Sequence, residues 1–81
     1  MISGSQIRGA RAILGWSIEE LAKHAAVGTA TVARIEHSGQ RVLGRCRTVQ
    51  KIQDAFIESG IRFTEGDHGE RGVEFLEQLE D

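Results

Sequence analysis

The chain has 81 residues, of which 40% are hydrophobic and 27% charged, and its formal net charge is −2. This length fits one domain, and no apolar run has the length of a membrane span or the layout of a signal peptide. The single cysteine, Cys46, excludes an internal disulfide and fits a reducing cytoplasm, where a structural or surface thiol is the ordinary interpretation. We therefore expect a small cytoplasmic protein.

Charge is distributed unevenly along the chain. Residues 1–53 carry eight basic and three acidic side chains, whereas residues 54–81 carry two basic and nine acidic ones. A basic region followed by an acidic region predicts a polyanionic partner for the first of them. Charge alone leaves open the alternative, an accidental arrangement of solvated side chains.

Three helix-start signals occur between residues 2 and 32. Ser3-x-x-Gln6 and Ser17-x-x-Glu20 are capping boxes, and Gly28 is a weaker N-cap. Each signal is flanked by an apolar pair spaced for a hydrophobic staple, namely Ile2 with Ile7, Trp16 with Leu21, and Val27 with Val32. Three signals with the same spacing predict three helix starts.

Apolar residues at three- and four-residue spacing predict four helices, over about residues 4–14, 18–25, 29–37 and 45–59. The predicted inward positions are Ile7, Ala10, Ile13 and Leu14 in the first, Leu21, Ala22 and Ala25 in the second, Val32 and Ile35 in the third, and Val49, Ile52, Ala55 and Phe56 in the fourth. Gly15, Ser38–Gly39 and Gly60 provide helix ends.

The residues after the fourth helix favour a β-hairpin. Ile61 and Phe63 alternate with polar residues, "EGDHGERG" supplies turn residues, and Val73 and Phe75 alternate with Glu74. Phe75, Leu76 and Leu79 also fit a helical stripe, so a helix at the end of the chain stays open as an alternative. The predicted fold is mainly α, a bundle of four helices with a short C-terminal hairpin.

The connection between the second and third predicted helices is very short. Residues 26–28 cannot return the chain antiparallel, so the two helices must meet at a steep angle, and Ala22, Ala25 and Ala26 allow a close crossing. This geometry is that of a helix-turn-helix, in which the second helix enters the DNA major groove. The segment "TATVARIE" is therefore the expected probe.

The segment "RGARAILGWSIEELAKHAAVGTATVARIEHSG" resembles the helix-turn-helix of lambda repressor/Cro-like, XRE-type bacterial regulators. The shared features are "LGWS", "EELA" and the pattern V-x-x-A-T-V-x-R-I-E. The resemblance covers residues 2 to about 60 and continues more weakly through "GIRF" and "GVEF". It implies a lambda repressor-like helix-turn-helix domain over residues 1–60, followed over residues 61–81 by a hairpin and acidic tail that we expect to mediate dimerisation.

The chain departs from the family pattern at three positions. Ile18 replaces the usual glutamine that meets phosphate at the start of the second helix. Ala26 replaces the turn glycine, so an alanine must adopt a positive φ or the corner must change. Gly28 replaces the usual serine cap of the recognition helix. These departures indicate weaker and less specific DNA binding than the family pattern implies.

The resemblance also implies which residues meet DNA. The base-reading positions are Thr29, Ala30, Thr31 and Arg34. The candidates for phosphate contact are Ser17, His37, Ser38, Arg41, Arg45 and Arg47. Arg34 suits guanine O6 and N7, and Ala30 suits a thymine methyl group. The ordinary alternatives are a solvated Arg34 and a charged loop without a partner.

Arg11 and Glu36 occupy family positions that often form a partly buried ion pair, so the resemblance implies a structural role for both. His24, His37 and His68 share no metal-ligand spacing, and no nucleophile–base arrangement or phosphate-binding glycine loop is present. We accordingly expect no enzymatic activity, no cofactor, no metal and no membrane association.

The expected function is that of a sequence-specific transcriptional regulator that binds double-stranded DNA as a homodimer, with residues 29–37 in the major groove. The alternative is an antitoxin-like or accessory protein-interaction module with weakened DNA binding. Ile18, Gly28, Ala30 and the negative net charge favour this alternative.

Overall fold

The computed structural model describes residues 2–39, 41, 43–44 and 46–76. In this part of the chain, four helices precede a two-stranded antiparallel sheet. The elements in chain order are α1 (Gly4–Leu14), α2 (Ile18–Ala25), α3 (Thr29–Glu36), α4 (Arg47–Glu58), β1 (Ile61–Glu65) and β2 (Arg71–Phe75). The predicted combination of four helices and a C-terminal hairpin is confirmed.

α1 and α2 have the predicted bounds, whereas the bounds of α3 and α4 differ from the predicted ones by one or two residues. α4 begins at Arg47, because Cys46 is its N-cap and has an extended backbone with φ −143° and ψ 161°. α3 ends at Glu36, and His37 is its C-cap. Residue 45, at which the fourth helix was predicted to begin, lies outside the described residues. Of the alternative C-terminal helical stripe, Phe75 belongs to β2, and Leu79 lies outside the described residues.

Both predicted capping boxes are present. The Ser3 hydroxyl accepts a hydrogen bond from the Gln6 amide at 3.2 Å, and the Gln6 side-chain oxygen accepts one from the Ser3 amide at 2.9 Å. Ser17 and Glu20 exchange the same two bonds at 3.0 Å each. The hydrogen bonds from Ser17 lower the pKa of the Glu20 carboxyl below its ordinary value, because they stabilise its ionised form. α1 and α2 thus start where local sequence predicts.

The corner between α2 and α3 contains a left-handed alanine. Ala26 has φ 57° and ψ 45°, and it is the only non-glycine residue with positive φ in the described part of the chain. The Val27 amide donates to the Ala22 carbonyl at 3.0 Å, which closes the end of α2, and the extended Gly28 starts α3 at once. The alanine therefore keeps the tight corner at a conformational cost that a glycine would not incur.

The core lies between the four helices and the inner face of the hairpin. Its largest fully buried side chains are Phe56, Ile7, Leu21, Ile52, Ile61 and Val32. The prediction that Ile13 is inward is wrong, since its side chain is 44% exposed. At 3.6 residues per turn, Ile13 lies about 120° around the helix from Ile7, whereas Leu14 lies about 20° from it. Leu14 consequently packs against the core and Ile13 does not.

The hairpin packs on the helices. β1 pairs with β2 in a register that places Ile61 opposite Phe75 and Phe63 opposite Val73. β1 contacts α4, β2 contacts α1, and the partly buried Phe63 and Val73 lie against the core. None of the helices in the described part of the chain combines the length and the apolar character that crossing a lipid bilayer requires.

Candidate nucleic-acid interface

The helix α3 has one exposed side and one covered side. Its exposed positions, together with the residue that follows the helix, are Thr29, Ala30, Ala33, Arg34 and His37. Val32 and Glu36 are buried, and Thr31 and Ile35 are partly buried. The helical period of 3.6 residues accounts for this division. Three of the four predicted base-reading residues are thus exposed, and Thr31 lies at the margin.

The covered side of α3 contacts α1 and α2. Val32 is fully buried in the same core cluster as Leu21 and Ala22 of α2. The small side chains at Ala22 and Ala25 are both buried, and α2 contacts α3 and α4. The packing of α3 therefore rests on apolar contacts that leave its opposite side uncovered.

An ion pair joins the end of α3 to α1, at the two positions where the resemblance implies one. Arg11 Nε and Nη2 donate to the two Glu36 carboxylate oxygens at 2.9 and 3.0 Å. The Glu36 side chain is 5% exposed and that of Arg11 22%. Hydrogen bonding to Glu36 raises the pKa of the Arg11 guanidinium above its ordinary value. A third Arg11 nitrogen donates to the Trp16 carbonyl at 3.0 Å, so the guanidinium is committed to contacts within the protein.

Arg8 also meets the end of α3, which the sequence analysis did not anticipate. Its Nη2 donates to the Glu36 main-chain carbonyl at 3.1 Å, and its Nε lies 3.9 Å from a Glu36 carboxylate oxygen. A cation at this position also complements the partial negative charge of a helix C-terminus. The signal in the sequence is the spacing of three residues between Arg8 and Arg11, which puts both on one face of α1.

The first turn of α1 passes very close to the end of α3. A Cβ atom added to Gly4 would lie 2.6 Å from the Ile35 carbonyl oxygen and 2.6 Å from the Ser38 hydroxyl oxygen. The Ser5 amide donates to the Gly39 carbonyl at 2.8 Å. Only a glycine allows this approach, and nothing in the sequence around Gly4 indicated it.

Gln6 links the same turn of α1 to the hairpin. Its side-chain amide donates to the carbonyl oxygens of Gly72 at 2.9 Å and Thr64 at 3.3 Å, and the residue is buried. The hydrogen bond to the oxygen of this amide belongs to the capping box and could be predicted from the sequence. The two hydrogen bonds from its nitrogen could not, because their acceptors are 58 and 66 residues away in the chain. The hairpin is therefore hydrogen-bonded to the same turn of α1 that contacts the end of α3.

The predicted phosphate contacts have different surroundings. Ser38 is partly buried and donates its hydroxyl to the Ile35 carbonyl at 2.6 Å, so its hydrogen-bonding capacity serves the end of α3. The Ser17 hydroxyl caps α2. His37, Arg41 and Arg47 are exposed, and Arg45 lies outside the described residues.

A groove separates the Arg34 flank of α3 from the start of α4. Thr31 and Arg34 line it on one side, and Cys46 and Thr48 line it on the other, around an open volume of about 310 Å³. Arg47 follows Cys46 directly and begins α4. The exposed Arg47 therefore adjoins a residue that lines the groove, whereas Arg34 lines it directly.

Two further features of the described residues are their lack of a metal-binding cluster and the packing of His24. Within those residues, no group of three His, Cys, Asp or Glu side chains is arranged to hold a metal ion. His24 stacks on the Trp16 indole, with ring centroids 4.2 Å apart and an interplanar angle of 4°. Trp16 in turn lies against Phe56, so this histidine packs at the edge of the core.

No model of a known protein family and no curated protein sequence matches this chain. The functional interpretation therefore rests on the geometry of α3 and on the charged side chains around it. Those two features describe a helix that is held on one side and exposed to solvent on the other.

Proposed function

We propose that the protein is a sequence-specific DNA-binding transcriptional regulator with a lambda repressor/Cro-like, XRE-type fold. In this proposal α2 and α3 form the helix-turn-helix, and α3 enters the major groove of double-stranded DNA. The observation that carries the proposal is the division of α3 into a covered side and an exposed side. An α-helix with its side chains is about 10–12 Å across, which fits a major groove about 12 Å wide.

Arg34 is the main base-reading residue in this proposal. It is exposed, and no acidic side chain of the described residues lies within ion-pair distance of it. A guanidinium can donate two parallel hydrogen bonds to O6 and N7 of guanine. Thr29 and Ala30, which are exposed in the first turn of α3, contact neighbouring base edges or the adjoining backbone.

The exposed cations around α3 serve as phosphate contacts. Arg47 is exposed at the start of α4, Arg41 is exposed in the preceding loop, and His37 is the exposed C-cap of α3. Arg45 is expected to act with them. Contacts of this kind fix the register of a protein on the duplex without reading its sequence.

The regulator acts as a homodimer, because one such helix contacts too few bases for useful affinity and two half-sites supply the rest. Ile57, Phe75 and Leu76 are exposed by 53%, 50% and 47%. A Cβ atom on Gly60 would lie 3.1 Å from Phe75, and the main chain of Gly60 is hydrogen-bonded to Ile57 at 3.1 Å and to Leu76 at 2.6 Å, so all three residues adjoin the turn at the end of α4. Exposed apolar clusters favour association.

Phe63 and Val73 also belong to the segment 61–81 that was expected to mediate dimerisation. Both are partly buried against the core and contribute to the packing of the monomer. The proposed surface therefore consists of Ile57, Phe75 and Leu76. Sedimentation velocity at micromolar concentration should give a dimer that Phe75→Glu dissociates, and a strict monomer in the unmodified protein would contradict this part of the proposal.

The DNA-binding experiment is a salt titration of binding to mixed genomic fragments. The logarithm of affinity should fall linearly with the logarithm of salt concentration, with a slope of about −0.9 for each neutralised phosphate. Arg47→Ala should weaken binding to all sequences and reduce the slope by about 0.9, whereas Arg34→Ala should lower the preference for selected sequences. Arg62→Ala, an exposed arginine substitution on the hairpin, is the matched control and should change neither.

The alternative, an antitoxin-like or accessory protein-interaction module, uses the cluster of Ile57, Phe75 and Leu76 for a different protein. The absence of DNA binding at low salt, in a sample whose circular dichroism shows the helical fold, would favour this alternative. Our proposal assigns the protein to the cytoplasm, where DNA is accessible, and assigns it no catalytic reaction and no cofactor.

A further inference from the structure

The exposed face of α3 carries unusually short side chains. Ala30 and Ala33 are both exposed and lie on neighbouring turns of the same face. Ala33 was not among the predicted base-reading residues, whereas Thr31, which was, is partly buried and faces the groove toward α4. The exposed surface thus consists of two methyl groups, the Thr29 side chain, Arg34 and His37.

Short side chains let a helix backbone approach its partner closely. A helix that carries long residues at positions 30 and 33 would be held away from the base edges by their length. With alanines there, the floor of the groove must meet the Cβ methyl groups themselves, and these cannot accept or donate hydrogen bonds. The feature of the major groove that complements a methyl group is the C5-methyl group of thymine.

Arg34 supplies the one long hydrogen-bonding side chain in the middle of this face. It lies next to Ala33 in sequence and one turn after Ala30, so any base that it contacts is adjacent to those that meet the methyl groups. In a helix-turn-helix, the N-terminal residues of the second helix contact the base edges. His37 lies at the opposite end of α3, so it is placed to contact the DNA backbone. The exposed face of α3 therefore combines one long hydrogen-bonding side chain, Arg34, with an apolar patch formed by Ala30 and Ala33.

We infer that α3 reads a half-site in which a guanine bound by Arg34 is flanked by thymines whose methyl groups pack on Ala30 and Ala33. Ala33 is then a specificity-determining residue, and Thr31 contacts no base. This inference rests on the proposed DNA-binding function and specifies which DNA the protein prefers.

The first experiment selects bound duplexes from random DNA and then replaces single thymines by uracil, which lacks only the C5-methyl group. Selected sequences should contain a guanine next to thymines. Replacing a contacted thymine by uracil should lower the affinity of the protein for the duplex about threefold to fourfold, because one apolar carbon is removed from the contact. Thymines outside the contacted positions, in the same duplex, should show no change.

The second experiment assigns the methyl contact to Ala33. Ala33→Gln introduces an amide that can pair with adenine N6 and N7, so repeated selection should replace a thymine by another base, and the uracil effect at that position should disappear. Ala12→Gln makes the same change at an exposed alanine of α1 and should leave the selected sequence as it is. Thr31→Ala should also leave the base preference unchanged.

The outcomes are distinguishable. Selected sites without thymine next to guanine, or with thymines that tolerate uracil, would overturn the inference while DNA binding remains established. Salt-dependent binding with no selected sequence would overturn it as well. Absence of any DNA binding by a folded sample would overturn the proposed function together with the inference.

Discussion

The two sides of α3 differ in what surrounds them. On the covered side, Glu36 receives four nitrogen contacts from Arg8 and Arg11 through its carboxylate and carbonyl oxygens, and Val32 is fully buried. On the exposed side, no acidic side chain of the described residues pairs with Arg34. A single helix of eight residues thus separates the groups that hold it from the groups that are exposed to solvent.

This division of α3 leads us to expect different effects from substitutions on its two sides. Substitutions on the covered side should change the free energy of unfolding, whereas substitutions on the exposed side should change binding with little effect on stability. Each of the following experiments tests one part of that separation.

The largest effect is expected for Glu36→Ala. It leaves the partly buried Arg11 guanidinium without its anionic partner. We expect a loss of about 3 kcal/mol in unfolding free energy, the lower end of the range for buried pairs, because Arg11 is partly exposed. Urea denaturation followed by circular dichroism measures it. Glu74→Ala, which breaks the exposed pair with Arg62, is the control and should cost less than about 1 kcal/mol. Equal costs would refute the division.

Gly4→Ala is expected to have the next largest effect. The new methyl group would lie 2.6 Å from the Ile35 carbonyl and the Ser38 hydroxyl, so α1 and the end of α3 must separate, at about 1–3 kcal/mol of unfolding free energy. Thermal unfolding at matched concentration gives the change. At Gly44 an added Cβ meets no described atom within 4 Å, and Gly44→Ala should stay within about 0.5 kcal/mol.

Ala26→Gly is expected to stabilise the protein. The left-handed conformation costs alanine about 1–2 kcal/mol, and the greater freedom of glycine in the unfolded chain offsets part of the gain. We expect a net gain of about 0.5–1 kcal/mol, seen as a higher melting temperature. In α1, Ala12→Gly should instead lose about 1 kcal/mol. A destabilised Ala26→Gly protein would show that the corner is not strained.

Arg34→Ala is expected to have the smallest effect on stability. Because no described residue pairs with its side chain, the unfolding free energy should change by less than about 0.5 kcal/mol. If the proposed function holds, discrimination for the preferred base should fall by about 1–3 kcal/mol in competition binding assays. A large loss of stability would show that Arg34 contributes to the folding of the protein, as the residues on the covered side do.

Much of the architecture could be predicted from the sequence. The capping boxes of Ser3 and Ser17 involve residues only three positions apart, so they are readable without a tertiary structure. The periodicity of α2 and α4 predicted their buried residues correctly, because each carries a clear apolar stripe. The inward assignment of Ile13 failed because this residue lies about 120° around α1 from Ile7, outside the part of the helix that the core covers.

The candidate site was predicted less completely. The resemblance to a known family supplied Arg34 and the pair of Arg11 and Glu36, but Arg8, Gly4 and Ala33 were missed. Ala33 has no polar group to attract notice, and its interest comes only from being exposed beside Ala30. The partial burial of Thr31 likewise depends on how α3 is rotated against its neighbours.

The sequence by itself determined where the first three helices begin and that a short corner joins α2 to α3, because these features depend on hydrogen bonds and backbone angles among near neighbours. The tertiary structure alone decided how α3 is rotated and seated. The contacts that fix it join residues far apart in the chain, such as Arg11 with Glu36 and Gly4 with Ile35. Such contacts form only when the whole core packs, so local patterns cannot reveal them.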